Sequence, residues 1–432
     1  MFERPLAGDH SVLVSLDVGS VDPGRHAEFV DLAKAAGAKV DAIIGGHRRV
    51  PDPKYYVGSG KAEEIRQMVA DCNASLVVFN HPLSPSQERN LERLIQRRVL
   101  DRTGLILDIF AQRARSFEGK LQVELAQLRH LSTRLVRGWS HLERQKGGIG
   151  LRGPGEKQLE TDRRLLAKRV HHLEQRLERV ANQREQGRAL RRRAGIPTVA
   201  LVGYTNAGKS TLFNALTGAG LYAADQLFAT LDPTLRRISL AGGDAIVVDT
   251  VGFVSDLPHE LVAAFRATLE ETRQADLLLH VIDASTPERD ERIAEVETVL
   301  AQIGAQELPA LRVYNKIDLI GEQPRVQVHS PTLTSVWVSA AGGVGLDLLR
   351  TSVAKCLARE WVRAQLLVPC HCGKTRARLF ELGAVLDESM EGTNWVLDVS
   401  LSKKQYDALR LEPGVLCRRA STYDVATPMN GQ

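Results

Sequence analysis

Short apolar runs alternate with amphipathic segments through the first quarter of the chain. We predict strands at the apolar runs SVLVSLDV, KVDAIIG, SLVVFN and GLILDIF. We predict helices at the segments between them, HAEFVDLAKAAGA, KAEEIRQMVADC and SQERNLERLIQRR. Such alternation is typical of a parallel sheet covered by helices. The pattern therefore predicts a small N-terminal α/β domain over residues 1–116.

The apolar pattern changes after this domain to heptad-like spacing. One seam consists of Leu121, Leu125, Leu128, Leu135, Trp139 and Leu142, and a second of Leu159, Leu166, Val170, Leu173, Leu177 and Val180. Two such seams separated by a short loop predict an antiparallel helical hairpin over 117–194, whose second helix exceeds about 30 residues. Its tip is the Gly-rich segment 147–155. Because a helix and not a strand precedes this segment, the dinucleotide-binding fingerprint does not apply.

Alternating strand and helix patterns return after the basic linker RALRRRAG, and they predict a third domain over 195–365. The tail, 366–432, contains RARLFELGAVLDE, NWVLDVSL and KKQYDALRL, which we interpret as strand, strand and helix. The predicted fold class is thus a multidomain α/β protein. It combines an N-terminal α/β domain, a helical hairpin, an α/β domain with a parallel sheet and a small α+β C-terminal domain.

Positive charge is concentrated in the hairpin. The whole chain has a formal net charge of +5, whereas the segment 143–193 alone has 15 Lys and Arg against 7 Asp and Glu, a net of +8. A local basic stripe is typical of a protein that binds a polyanion, although a solvated helical face is the simpler alternative. Glycines permit close approach of the backbone to RNA, and arginine pairs with phosphate or stacks on bases. The candidate RNA contacts are Arg152, Gly153, Gly155, Arg163 and Arg164.

The cysteines and the apolar segments indicate a cytoplasmic protein. Five cysteines are an odd and sparse set, which favours a reducing compartment over a disulfide framework. The start of the chain lacks the apolar core of a signal peptide, and no run approaches the roughly 20 apolar residues of a membrane span. The triplet Cys370-His371-Cys372 has closer spacing than paired zinc ligands, so we favour packing or chance over metal binding.

The strongest chemical signal is TVALVGYTNAGKST, an apolar strand that leads into Gly203-x4-Gly208-Lys209-Ser210 and then a helix. This context is that of a phosphate-binding loop, whose backbone N–H groups surround the phosphates. Lys209 is predicted to reach the β- and γ-phosphates, and the Ser210 hydroxyl to bind Mg²⁺. A weaker match, Gly58-Ser59-Gly60-Lys61, has no Ser or Thr after the lysine and is better interpreted as a turn before a helix.

Three further elements follow in the order of a guanine-nucleotide site. The apolar run AIVVDTVGF ends in Asp249-Thr250-Val251-Gly252, with a carboxylate that holds Mg²⁺ through a water and an N–H that senses the γ-phosphate. LRVYNKID ends in Asn315-Lys316-Ile317-Asp318, and its last carboxylate can accept two hydrogen bonds from guanine but not from adenine. The segment Ser339-Ala340-Ala341 is predicted to place backbone amides at the guanine O6. The sequence therefore predicts a GTPase rather than an ATPase.

Two features concern hydrolysis. The segment QLFATLDPTLRR offers Thr230 and Thr234 as candidate switch threonines that complete the Mg²⁺ coordination. Phe253 occupies the position where many GTPases have a water-orienting glutamine, so we expect slow intrinsic hydrolysis until a switch rearrangement or a partner positions the water. Asn206 is a candidate K⁺ ligand that would bring positive charge to the transition state, or alternatively only stabilises the loop turn.

These motifs together resemble one known family. GYTNAGKS, FATLDPT, DTVGF and NKID, preceded by GGIGLRGPGEKQLETDRR, are similar to the HflX family of GTPases in the Obg-HflX group, and the match spans nearly the whole chain. The resemblance implies that Thr230, not Thr234, binds Mg²⁺, and it associates Asn206 with K⁺. The predicted catalytic residues are Lys209, Thr230, Gly252 and Asn206. The predicted GTP contacts are Gly203, Tyr204, Thr205, Asn206, Ala207, Gly208, Lys209, Ser210, Thr211, Phe228, Ala229, Thr230, Leu231, Asp232, Asp249, Thr250, Val251, Gly252, Asn315, Lys316, Ile317, Asp318, Ser339, Ala340 and Ala341.

The resemblance also implies a partner, the large (50S) ribosomal subunit with its 23S rRNA. The expected role is that of a monomeric switch, regulated by GTP and GDP, that splits or rescues ribosomes or assists their biogenesis under stress. The alternative is an RNA-binding assembly or remodelling factor driven by the N-terminal domain, with the third domain acting only as a checkpoint. An ATP site in the N-terminal domain would belong to that alternative, and Lys61 is its only support.

Overall fold

The computed structural model describes most of the chain and contains three separate sheets. The described residues are 9–18, 23–143, 154–193, 196–218, 227–228, 233–240, 243–255, 266–330, 333–357, 360–381, 384–402, 406, 409–410 and 414–424. Its architecture confirms the predicted fold class: an N-terminal α/β domain, a helical hairpin, a P-loop domain and an α+β C-terminal domain.

The N-terminal sheet is parallel and has the order β2-β1-β3-β4. Its strands are β1 (His10–Val18), β2 (Lys39–Arg48), β3 (Leu76–Phe79) and β4 (Arg98–Asp101). Its helices are α1 (Pro23–Ala35), α2 (Ser59–Asp71), α3 (Pro85–Ile95) and α4 (Arg102–Arg113). The strand order reverses direction between β1 and β3, and in open α/β sheets this is where a crevice forms at the carboxyl ends of the strands.

The interpretation of GLILDIF as a strand is wrong, because this segment lies in α4. The strand is instead the preceding four residues, RVLD. The Asp101 side chain accepts a hydrogen bond of 2.8 Å from the Gly104 N–H and so starts the helix. Leu105, Ile106 and Leu107 are all buried, so α4 is apolar around most of its circumference. A helix of this kind gives a continuous apolar run, which periodicity alone does not distinguish from a buried strand.

The hairpin consists of α5 (Phe117–Glu143) and α6 (Pro154–Arg193). Leu121, Leu125 and Leu173 form its buried seam. The ion pairs Glu118–Arg184 and Arg129–Glu174, both at 2.7 Å, join the helices in antiparallel order. At 1.5 Å per residue, the 40 residues of α6 span about 60 Å.

The predicted tip lies mostly outside the described residues. Arg152 and Gly153 belong to this part of the chain, whereas Gly155 lies in the first turn of α6. Pro154 begins that helix, and proline is well suited to the first helical position because its missing N–H would have no partner there. The helix therefore starts one residue before the predicted end of the tip at residue 155.

A seven-stranded sheet of order β10-β11-β9-β8-β5-β7-β6 forms the third domain. Its strands are β5 (Thr198–Val202), β6 (Thr234–Leu240), β7 (Gly243–Asp249), β8 (Leu277–Asp283), β9 (Ala310–Asn315), β10 (Arg325–Ser330) and β11 (Leu333–Trp337). The helices are α7 (Lys209–Thr217), α8 (Arg266–Arg273), α9 (Arg289–Gln302) and α10 (Leu346–Leu357). The five central strands are parallel, and β6 and β10 pair antiparallel at the two edges. The carboxyl ends of the parallel strands consequently meet along one edge.

The C-terminal sheet is antiparallel and has the order β13-β14-β12-β15. Its strands are β12 (Glu360–Pro369), β13 (Val385–Glu391), β14 (Asn394–Ser402) and β15 (Leu416–Asp424), with α11 (Gly373–Glu381) on one face. RARLFELGAVLDE is therefore not one strand, because α11 and β13 share it. Strand β12 begins before the predicted boundary at residue 366, and the domain boundaries remain predictions. Most of KKQYDALRL lies outside the described residues.

Candidate nucleotide-binding site

The phosphate-binding loop connects β5 to α7, as the sequence pattern requires. Gly203 and Gly208 adopt φ angles of 148° and 88°, which side chains other than glycine rarely adopt. A Cβ atom would overlap the Val281 carbonyl oxygen at the first position and the Asn315 amide at the second. Glycine is therefore needed at both positions for two reasons: the backbone conformation, and the lack of space for a side chain.

Lys209 is buried at the start of α7, and its Nζ lies inside the curve of the loop. The amine donates to the carbonyl oxygens of Gly203 and Tyr204, at 3.0 and 2.7 Å. Burial lowers the pKa of Lys209 to about 8, and the nearby Asp249 carboxylate opposes this shift. These carbonyl contacts are the interactions that a bound phosphate would replace.

Ser210 and Asp249 form the metal side of the site. The Ser210 hydroxyl donates to Asp249 Oδ2 at 2.8 Å, where the carboxyl end of β7 meets the first turn of α7. A hydroxyl and a buried carboxylate are hard oxygen donors, the type that Mg²⁺ prefers. The donor set therefore fits Mg²⁺. The third predicted ligand, Thr230, lies outside the described residues, and Thr234 is the first residue of β6.

The DTVGF loop lies directly against the phosphate-binding loop. The Phe253 N–H donates to the Gly203 carbonyl at 3.1 Å, and its carbonyl accepts from the Thr205 N–H at 2.7 Å. A Cβ atom at Gly252 would lie 3.0 Å from the Thr205 Cα, so a side chain there would press on the main chain of the phosphate-binding loop. Because the Phe253 ring is buried, it cannot orient water as a glutamine would.

Asn315 ties the base-recognition segment to the phosphate-binding loop. Its Nδ2 donates to the Ala207 carbonyl at 3.0 Å, and its Oδ1 accepts from the Ala340 N–H at 2.9 Å. Lys316 has a φ of 65° and forms a 2.8 Å ion pair with Asp283. Asp318 follows in a short 3₁₀ helix (Ile317–Leu319), and its side chain is exposed at the edge of the site.

Two of the backbone N–H groups predicted to contact guanine O6 already form hydrogen bonds within the protein. The Ser339 N–H donates to the Val344 carbonyl at 2.9 Å, and the Ala340 N–H donates to Asn315. Ala341 is exposed. A contact from Ala340 to the base would therefore have to replace or share its bond to Asn315.

Other predicted contacts lie elsewhere. Phe228 is buried against Phe110 of the N-terminal domain, with ring centroids 4.6 Å apart, and the Tyr204 hydroxyl points toward Glu28. Asn206 is exposed, with a φ of 60°. Residues 229–232 lie outside the described part. The remaining predicted contacts, Thr211, Val251 and Ile317, lie on α7, in the DTVGF loop and on the 3₁₀ helix.

The site residues predicted in the other parts of the chain are not among those that the structure brings together at the nucleotide-binding site. Arg163 and Arg164 are exposed on α6. Lys61 lies in the first turn of α2 and forms a 2.9 Å ion pair with Glu64. Within the described ranges, no cluster of His, Cys, Asp and Glu is arranged to hold a metal ion, and this includes the segment around Cys370.

Sequence reasoning missed two residues that contact the site from the N-terminal domain. Glu28 accepts a 2.6 Å hydrogen bond from the Tyr204 hydroxyl, and Arg102 donates to the Ser255 carbonyl at 3.1 Å. Both are buried and charged. A buried carboxylate on an otherwise amphipathic helix cannot be recognised by periodicity, since its partners are more than 70 residues away in sequence.

Four elements at the carboxyl ends of the strands of one sheet, a phosphate-binding loop, a DxxG loop, an NKxD segment and an SA segment, define a P-loop GTPase. Family models match the N-terminal region of a GTP-binding GTPase at residues 24–111, its middle region at 113–191 and a 50S ribosome-binding GTPase at 198–316. The chain is 57% identical over 395 residues to the GTPase HflX of Escherichia coli, covering 90% of this chain and 93% of that protein. It is 45% identical to the GTPase HflX of Caldanaerobacter subterraneus, covering 89% of each.

The chain belongs to the GTPase HflX family and hydrolyses GTP. A solved structure of a GTP-binding protein from Sulfolobus solfataricus with GDP is 26% identical, with a TM-score of 0.44, over 81% of this chain and 98% of that one. None of the helices in the described ranges combines the length and apolar character needed to span a membrane.

Proposed function

We propose that this GTPase is a switch that binds the 23S rRNA of the large (50S) ribosomal subunit. Its role would be the splitting or rescue of ribosomes, or their biogenesis, under stress. The proposed protein is a monomer that acts in the cytoplasm. The observation that carries the proposal is a hairpin whose second helix is about 60 Å long and has exposed cations, in the same chain as a GTPase site.

The cations of α6 support binding to a polyanion. Arg163, Arg164 and Lys168 are exposed, and they form no ion pair within the part of the hairpin that the structure describes. Cations without acidic partners remain available for phosphate contacts. The predicted tip residues Arg152 and Gly153 would extend this surface, and the family model at 198–316 is described as a 50S ribosome-binding GTPase.

Nucleotide binding would use the residues brought together at the strand ends. Lys209 contacts the phosphates, Gly252 senses the γ-phosphate, and Asp318 selects guanine. Ser210, Thr230 and Asp249 would hold Mg²⁺, which neutralises charge on the β- and γ-phosphates when bound. Asn206, exposed in a left-handed turn, is the proposed K⁺ ligand. Hydrolysis in K⁺ should exceed hydrolysis in Na⁺ at equal ionic strength, and Asn206→Ala should abolish the difference; an unchanged ratio contradicts this role.

Co-sedimentation with the large subunit tests the proposal. Binding should be stronger with a non-hydrolysable GTP analogue than with GDP, and the subunit should stimulate GTP hydrolysis. Arg164→Glu should weaken binding and reduce its salt dependence, because phosphate contacts release counterions. The matched control is Arg179→Glu, an equally exposed position on the same helix, about 22 Å closer to the hairpin base.

Two results would contradict the proposal. One is equal sedimentation in both nucleotide states without stimulation of hydrolysis, and the other is an equal loss of binding in both arginine variants. A Lys209→Ala variant that still dissociates ribosomal particles would favour the alternative, an RNA-remodelling factor whose GTPase domain acts only as a checkpoint.

A further inference from the structure

The crevice between β1 and β3 in the N-terminal sheet is filled by the GTPase domain. In open α/β sheets this position usually receives a ligand. Here it holds buried polar groups: Asn80 follows β3, Glu28 lies on α1, and Arg102 begins α4. The groups that enter it are the side chain of Tyr204 and the main chain of Ser255.

A set of buried and partly buried hydrogen bonds joins the two domains. Arg102 donates to Asn80 Oδ1 and to Glu28 Oε1, both at 2.7 Å, and to the Ser255 carbonyl at 3.1 Å. The Tyr204 hydroxyl donates to Glu28 Oε2 at 2.6 Å and accepts from the Ser255 N–H at 2.9 Å. The Glu28 carboxylate thus receives one bond from each domain. Burial and the adjacent Glu28 carboxylate raise the pKa of Tyr204, so its hydroxyl stays protonated as the donor.

The two G-domain residues in this set belong to loops that meet the nucleotide. Tyr204 is the second residue of the phosphate-binding loop, and Ser255 lies three residues after Gly252. Between them, the Phe253 N–H is bonded to Gly203. Movement of Gly252 toward a γ-phosphate would therefore pull on Ser255, which the N-terminal domain holds through Arg102.

Apolar contacts place both switch segments on the same face of the N-terminal domain. Phe228, from the FATLDPT segment, packs on Phe110 of α4. Val251 of the DTVGF loop and Val254, which directly follows it, join the same buried cluster. Side chains from both segments that respond to the γ-phosphate are therefore buried against α4 and its neighbours, independently of the polar set.

We propose that Glu28 and Arg102 are positioning residues that couple the N-terminal domain to the nucleotide state. Their contacts hold Tyr204 and Ser255 in place, and a movement of Gly252 toward a γ-phosphate has to work against them. Because coupling is reciprocal, weakening the contact should favour GTP over GDP. The inference concerns the GTPase site itself and does not depend on a role at the ribosome.

The test measures the affinities of the full-length chain, without ribosomes, for GDP and for a non-hydrolysable GTP analogue. Glu28→Gln preserves the side-chain shape but removes the charge, and Glu28 reaches the nucleotide site only through the Tyr204 hydroxyl. We expect the ratio of the GDP dissociation constant to that of the analogue to rise by about fivefold or more. The control is Glu118→Gln, an equally buried carboxylate with a 2.7 Å ion pair to Arg184 within the hairpin.

A second variant keeps the inference testable if Glu28→Gln does not fold. Tyr204→Phe removes one hydroxyl and leaves the Glu28–Arg102 ion pair intact, so it should shift the ratio in the same direction. The double variant should shift the ratio by less than the product of the two single effects, because both substitutions disrupt the same hydrogen bond between Tyr204 and Glu28. A ratio that stays within twofold of the wild type in the folded variants, or that falls, overturns the inference, as does an equal change in Glu118→Gln.

Discussion

Asp318 should recognise guanine through two separate hydrogen bonds, to N1–H and to the N2 amine. Its carboxylate is exposed at the edge of the site, and no hydrogen bond or ion pair engages it within the described part of the chain. Both carboxylate oxygens are thus available to a base. Inosine triphosphate lacks the N2 amine, so it removes one of the two bonds without changing the protein.

The size of the effect follows from the number of bonds lost. A hydrogen bond to a charged group contributes about 1.5–3 kcal/mol, and the lower end applies here because the site is open to water at this edge. Loss of one bond should weaken binding of the inosine nucleotide to the wild type about 10-fold. Asp318→Ala removes both bonds and should weaken GTP binding about 100-fold.

Equilibrium titration of four combinations checks this reasoning: wild type and Asp318→Ala, each with GTP and inosine triphosphate. The variant should bind the two nucleotides equally, because neither finds an acceptor at residue 318. Glu322→Ala is the control, since this nearby, partly exposed carboxylate pairs with Arg325. A variant that still prefers GTP by about 10-fold would refute the assigned role.

Three further predictions follow from buried groups. Asn315→Ala removes two buried hydrogen bonds between the base-recognition segment and its neighbours. At about 1 kcal/mol each, their loss should weaken the binding of GTP and of inosine triphosphate alike, by about 30-fold. A titration in which only GTP binding is weakened would contradict this. Gly203→Ala places a Cβ against the Val281 carbonyl, so nucleotide binding and Tm should both fall, and a wild-type Tm in calorimetry would be contrary evidence. Burial lowers the pKa of His280 to about 3, and the nearby charges of Arg312 and Lys209 add to the shift. Below pH 6.5 the unfolded chain therefore binds a proton at this histidine that the folded protein does not bind. The free energy of unfolding should fall by about 2 kcal/mol when the pH is lowered to 5. His280→Leu should reduce the drop in Tm between pH 7.5 and 5, and an identical drop would count against the assignment.

The chemistry of the nucleotide site was predictable from short stretches of sequence. Gly203 follows an apolar strand directly, and Asp249 and Asn315 each end one. Parallel strands bring their carboxyl ends to one edge, so local spacing together with strand order already implies that these residues meet. The antiparallel hairpin was predictable for a similar reason, since a leucine seam repeats with helical spacing along both of its halves.

Predictions failed where burial removed the periodic signal. GLILDIF is apolar on nearly every side because α4 is enclosed, and its identity as a helix depends on the cap at Asp101. In RARLFELGAVLDE, a helix and a strand follow each other within thirteen residues, and only pairing with β14 establishes where the strand begins.

The sequence alone determined that this protein binds and hydrolyses GTP, because that chemistry resides in contiguous motifs whose backbone geometry is local. Only the tertiary structure decided what the motifs touch besides nucleotide. Tyr204 looks like an ordinary variable position of a phosphate-binding loop, yet its hydroxyl meets Glu28, 176 residues away. The buried ion pair between Glu28 and Arg102 forms only because two segments that are distant in sequence are packed together in the folded chain. No local sequence pattern specifies that contact.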